Sequence, residues 1–185
     1  MKIRYALLTA AGLLASSNAM AQSTGTVAVD GSVAGRCLFT TPSATISVGE
    51  MAVQGTGATA GKLNAGAING QTRTLVGWCN GSASSMSVET QALVNTGFAP
   101  AAPTGFDKRV DYTATAVANA VSADDSSLTA GAGDAKPVRI FTGDVVVTLS
   151  AASSPASGLL IAGGYLGQVL VTLSPAIALP PPTGG

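Results

Sequence analysis

Along residues 25–37, GTVAVDGSVAGRC, Val27, Val29 and Val33 fall on one face of an extended chain, with Gly31 in phase between them. Such period-2 alternation is the mark of a half-buried strand. It recurs down the chain. Residues 45–51 (TISVGEM) alternate, and residues 74–79 (TLVGWC) put Leu75 and Cys79 on one face. Met86, Val88 and Ala92 alternate with Ser87, Glu89 and Gln91. Val110, Tyr112 and Ala114 alternate with Asp111 and Thr113. Residues 138–141 and 144–150 (DVVVTLS) come next, and residues 165–174 (YLGQVLVTLS) close the series. Helical periodicity is nearly absent after residue 21, and turn residues recur about every ten positions, so the pattern predicts an all-β sandwich. The Gly-, Ala- and Ser-rich residues 54–61, 100–105 and 124–134 are expected as surface excursions. VVVTLS at 145–150 and VLVTLS at 169–174 read either as an internal duplication or as a coincidence of β-rich composition.

The amino terminus has a different pattern. Lys2 and Arg4 precede an apolar run over residues 6–15, too short to span a bilayer, and Ala19-Met20-Ala21 forms a small-residue cleavage site. Residues 1–21 therefore read as a secretory signal peptide. Cleavage would remove two of the nine basic residues and none of the nine acidic ones, leaving 164 residues with a net charge of −2. That length suits one domain. The charge offers no basic patch for nucleic acid. Charged residues are only 10% of the chain, so the surface is expected to be Ser, Thr, Gly, Asn and Ala, as in packed extracellular assemblies. Export also places Cys37 and Cys79 in an oxidising compartment, where an even count favours a disulfide. Closing that 42-residue loop is worth about 4 kcal/mol in the chain-entropy treatment.

Residues 145–185 carry no charge, which raises a membrane helix over residues 158–179 as an alternative. Gly163, Gly164, Gly167, Gln168 and Pro175 argue against it, and the alternation of Val169, Val171 and Leu173 favours a strand. No membrane span is expected in the mature chain. The end of the chain, LPPPTGG over 179–185, cannot pair in a sheet interior.

Catalytic chemistry finds little to work with. The chain has no histidine, the commonest general acid–base group. It has no G-x-S-x-G elbow, phosphate loop or H-E-x-x-H pair. No enzyme activity, catalytic residue, metal or cofactor is expected. Asp124, Asp125 and Asp134 read as a solvated acidic turn or, with unfamiliar spacing, as calcium ligands. Asn80-Gly81-Ser82 is either a glycosylation sequon or a turn after a strand. Trp78 points away from Cys79 and is expected in or near the core, the alternative being an exposed sugar-stacking ring.

The stretch G-T-V-x-V-x-G-x-V, with a cysteine shortly after it, resembles the N-terminal extension of chaperone–usher pilus subunits. Val27, Val29, Gly31 and Val33 occupy its alternating positions. Cys37 and Cys79 are spaced like the cysteines that join the first two strands in that family. Gly49-Glu50 in residues 45–51 resembles the strand after the first cysteine. Gly163-Gly164-Tyr165 followed by Val169, Val171 and Leu173 resembles the last strand, particularly of the archaic fimbrial and spore-coat-like branch. Residues 91–136 carry no such match, and the chain runs on past the last strand.

The resemblance implies an immunoglobulin-like β-sandwich that lacks its last strand. Its parts would be a signal peptide (1–21), a donor-strand extension (22–35), the sandwich (36–175) and a Pro/Gly-rich tail (176–185). Val169, Val171 and Leu173 would line an acceptor groove. A periplasmic chaperone would fill that groove first, and the donor strand of a like or related subunit would replace it at an outer-membrane usher. The chain would then be an exported structural subunit of a surface pilus or coat. The alternative is a self-contained secreted sandwich binding carbohydrate or protein, in which residues 25–33 are simply the first strand of their own domain.

Overall fold

The computed structural model describes residues 23–176 of the 185. The expected signal peptide and residues 177–185 of the expected tail lie outside the described residues. Two units are distinguished, divided after Ser32. In the first, residues 23–32 carry no strand, and all are exposed.

The second unit is built from ten strands: β1 (Cys37–Thr41), β2 (Thr72–Cys79), β3 (Ser85–Asn95), β4 (Phe106–Asp107), β5 (Arg109–Ala118), β6 (Val121–Ser126), β7 (Lys136–Pro137), β8 (Phe141–Ser153), β9 (Leu159–Leu160) and β10 (Tyr165–Ser174). There is no α-helix among the described residues, only a 3-10 turn at Ala65–Ala67. The main sheet runs β1-β2-β8-β5-β3-β10, with β6 also on β5 and β7 also on β3. All its pairings are antiparallel, and it curls into a nearly closed, barrel-like sandwich. β4 and β9 form a separate parallel pair.

β5 makes the corner. Val110 and Arg109, at its start, pair with Leu93 and Val94 of β3. Further along, residues 113–117 lie between β8 and β6. One strand thus serves both layers: β1, β2, β8 and β6 on one side, β3, β7 and β10 on the other. Its inward residues are Val110, Tyr112, Ala114, Ala116 and Ala118, all buried. The alanines, with Ala123 of β6, let the layers close tightly in a chain only 4% aromatic. Met86 and Val88 of β3 and Val145, Val147 and Leu149 of β8 fill the remaining core.

Three buried aspartates tie the elements of this small interior together. Asp125 of β6 accepts the Thr90 backbone N–H at 2.7 Å, and the Thr90 hydroxyl donates to the Asp125 carbonyl, so β6 is bolted to β3. Asp111 accepts from Arg109 at 2.6 Å and from the Ser127 hydroxyl at 2.9 Å. Asp107 accepts the N–H groups of Ala156 and Gly158, which folds residues 154–158 back onto β4. Buried charges tolerated in this way are paired or hydrogen-bonded.

The expected strands at 74–79, 86–92, 110–114, 144–150 and 165–174 are all present. Residues 138–141 differ: only Phe141 is in a strand, and Val138 is buried in the connection from β7. The expected loop at 124–134 is part strand, because β6 turns back from β5 at Asn119-Ala120. Both residues have positive φ, 49° and 58°, the geometry of a two-residue hairpin whose twist suits the flanking strands. Asp125 is consequently buried and hydrogen-bonded rather than part of a solvated turn, and no group of three metal-binding side chains occurs among the described residues. Trp78 pairs across from Leu38 on the outward face and is half buried there, outside the core.

Cys37 and Cys79 are bonded, at directly paired positions of β1 and β2. β1 has five residues and one ladder partner, so the disulfide is its principal anchor. Replacing both cysteines by serine is expected to lower unfolding free energy by about 2–4 kcal/mol. The urea midpoint of the double variant beside that of the unreduced parent measures it.

Candidate functional site

Pro42 has no backbone N–H and ends β1 after Thr41. The chain continues extended through residues 43–50. Ile46 and Val48 turn inward, half buried against the core, while Thr45, Ser47 and Gly49 are exposed. The expected alternation of residues 45–51 is present over 45–49 and breaks at its end, where Glu50 is exposed and Met51 buried, and among the described residues this stretch pairs with no strand. One side-chain contact steadies it: Arg73 Nε donates to the Thr45 carbonyl at 2.7 Å.

β10 shows the matching condition. One of its edges pairs with β3 from Tyr165–Asn95 to Ser174–Ser85, and among the described residues no strand pairs with the other. Val169, Val171 and Leu173, the residues expected to line a groove, all face inward and are half buried against the core. Leu166, Leu170 and Thr172 face out.

The space between these two edges, the trough, is bounded at two places. At one end, a Cβ added to Gly77 of β2 would sit 3.0 Å from Phe39 Cδ1 and 3.3 Å from Leu173 Cδ1, so β1 and β10 meet over that glycine. At the other end, a recess of about 400 Å³ separates Gly49, Glu50 and Met51 from Tyr165 and Ile161. Phe39, Ile46 and Val48 on one side and Val169, Val171 and Leu173 on the other are all half buried against the same core, with Gly77 of β2 between Phe39 and Leu173. Gly77 is the site residue that sequence reading missed. Its signal was available: a glycine in phase with Leu75 and Cys79 inside a strand often marks close approach of other groups.

The donor residues expected at 27, 29 and 33 stand outside any strand and are 84–91% exposed. Gly31 has nothing within 4 Å of an added Cβ. Val33 belongs to the second unit, and the chain beyond it is held firmly. Asn80, in the turn after β2, donates from Nδ2 to the Ala34 carbonyl and accepts the Arg36 N–H at Oδ1. The same turn holds the exit of β10: Ala83 N–H donates to the Ala176 carbonyl at 3.0 Å, and Gly81 lies so close that any Cβ would collide with that oxygen. The sequon-like Asn80-Gly81-Ser82 is therefore a structural turn whose glycine is sterically required.

The position of β10 is secured at its bulge. Between Leu166 and Gln168 the register with β3 shifts, and Gly167 sits where a Cβ would come within 3 Å of the Gln91 and Ala92 carbonyls. The buried Tyr112 hydroxyl donates to the Gln91 carbonyl at 2.8 Å and reaches the Gln168 carbonyl at 3.3 Å. Burial pushes the Tyr112 hydroxyl up to about 12.

No family model, curated protein or solved structure matches the chain. No helix among the described residues is long and apolar enough to cross a membrane.

The tyrosine gives a signed expectation. Below pH 10 it is neutral folded and unfolded and adds no pH dependence. From about 10 to 12 the unfolded chain loses this proton while the folded one keeps it. The Tyr112-dependent part of stability therefore falls as pH rises through that window. Tyr112→Phe is expected to be less stable at pH 8, by about 1 kcal/mol for the lost hydrogen bonds, and to lose stability less steeply above pH 10. Urea midpoints at pH 8 and 11 for both proteins check this.

Proposed function

We propose that this chain is an exported structural subunit of a surface fibre or coat, and that it polymerises by donating residues 25–33 as a strand to the trough of another copy or a related subunit. The observation that carries the reading is that, among the described residues, no strand pairs with residues 43–50 or with the outer edge of β10, while both carry half-buried apolar side chains. An exposed edge of this kind is a ready template for strand addition.

Strand order supports the same reading. β1-β2-β8-β5 opposite β3-β10 corresponds to strands A-B-E-D opposite C-F of an immunoglobulin constant-type sandwich, with the position of strand G empty. In the proposal the missing strand is supplied in trans, first by a periplasmic chaperone and then, at an outer-membrane usher, by the next subunit. Sequence resemblance at both ends of the chain and at the disulfide supports these partners. The role needs no catalytic group, metal or cofactor.

Polarity follows from where the chain enters its domain. The root at Ala34–Arg36 and the end of β10 share the Asn80–Ser84 turn, so both sit at one end of the sandwich. An incoming strand antiparallel to β10 finishes beside Tyr165, at the opposite end, away from the acceptor's own root. Subunits then stack head to tail, with Val33 near the recess bounded by Gly49 and Tyr165. Burying Val27, Val29 and Val33 contributes about 1.5–3 kcal/mol each, against the ordering of the arm.

Val29→Asp places an unpaired charge in the trough and is expected to abolish assembly. Gly31→Leu is expected to impair assembly by crowding the trough floor. Both variants are expected to leave the melting temperature of the chaperone-bound subunit unchanged, because Val29 is 91% exposed and neither residue lies in a strand. Assembly followed by light scattering, beside thermal melts, checks this. Normal assembly by Val29→Asp, or a lowered melt in either variant, would reject donation.

A further inference from the structure

Beside the trough's far end lies a second recess of different character. It is open, about 370 Å³, and lined by Phe98, Pro103, Phe106, Leu160, Ile161 and Ala162. Every lining side chain is apolar. Phe106 is 41% exposed and Phe98 and Ile161 are half buried, so two aromatic rings and a branched aliphatic stand open to solvent. The recess is well supported: Ile161 N–H donates to the Asp107 carbonyl, and the Ile161 carbonyl accepts from Asn95 and from the Tyr165 hydroxyl. Leu160, Ile161 and Ala162 line this recess and the one at the trough mouth alike, so the two are contiguous.

We propose that this recess binds the segment 177–182, Ile-Ala-Leu-Pro-Pro-Pro, of the adjoining copy in the assembly, as a second, side-by-side contact beside the donated strand. The inference rests on the head-to-tail reading above. Three observations lead to it. First, the chemistry fits. The segment is uncharged, with two branched aliphatics and three consecutive prolines. Proline runs favour the extended polyproline form and dock into aromatic-lined grooves at low entropic cost.

Second, the segment starts in the right place. It follows Ala176, which is held to the same Asn80–Ser84 turn that grips the root of the arm. A copy whose arm ends at the trough mouth therefore brings its own Ala176 to that end of the acceptor, beside the contiguous second recess. Third, the segment cannot reach the recess of its own chain. β10 runs ten residues between the two ends, a span of about 30 Å. Pro182 lies six residues past Ala176 and reaches about 22 Å at most. This segment therefore meets such a recess only on another copy.

The test uses the full-length subunit and a fluorescein-labelled peptide of residues 176–185, followed by polarisation. Binding with a Kd of about 0.1–1 mM is expected. Ile161→Glu is expected to weaken it at least tenfold. Phe106→Ser, at a more exposed position, provides the same test should Ile161→Glu fail to fold. Val171→Asp, in the trough, is expected to leave peptide binding unchanged. No binding at about 1 mM, or binding unaffected by both recess variants, would overturn the inference. Loss with Val171→Asp alone would place the segment in the strand trough and overturn it equally. The donor-strand reading is judged separately, since Val29→Asp changes assembly without touching either the recess or the peptide.

Discussion

Every buried backbone N–H and C=O must find a partner, and this domain meets much of that demand through one continuous antiparallel sheet. β5 makes this possible. By pairing first with β3 and then with β8 and β6, it carries the ladder from one layer to the other without a break. The small residues at its inward positions follow from that corner, because larger side chains would hold the layers apart there. The polar bolts at Asp107, Asp111 and Asp125 sit around β5 and its neighbours, where the ladder alone leaves groups unpaired. Against this pairing, residues 43–50 and the outer edge of β10 stand out, because among the described residues no strand pairs with either although both turn apolar side chains inward.

Much of that was legible in the sequence, where side-chain alternation and backbone pairing coincide. β10 runs from Tyr165 to Ser174, the residues that the alternation gives, because Val169, Val171 and Leu173 turn inward while the opposite face stays in solvent. β6 was not legible. Its Ser122, Asp124 and Asp125 look like a solvated turn, and the Asn119-Ala120 hairpin lacks the glycine that marks the commonest two-residue turns. Asp125 is buried only because Thr90, 35 residues earlier, offers it an N–H, and no local pattern encodes that meeting.

The trough was legible by half. Its β10 wall could be read from alternation. The opposite wall alternates as expected only over residues 45–49 and pairs with no strand among the described residues, since Pro42 uncouples it from β1 and tertiary placement decides the rest. The floor at Gly77 depends on Phe39 and Leu173 arriving from distant parts of the chain. Whether an alternating segment pairs or waits at an edge is set by what lies beside it, and periodicity carries no information on that point.

The grip of a single turn on both Ala34–Arg36 and Ala176 bears on how the domain would carry load. Tension applied at Val33 passes through Ala34 and Arg36 into Asn80, and through the Cys37–Cys79 bond directly into β2. β2 is flanked on both sides, by β1 and by the thirteen-residue β8. The pull is therefore directed along the strands of the sheet, so that the hydrogen bonds of the β2–β8 ladder resist together in shear. A short five-residue edge strand would peel away one bond at a time. Tied covalently to its longer neighbour, it serves instead as a coupling through which force enters a strand paired along both edges.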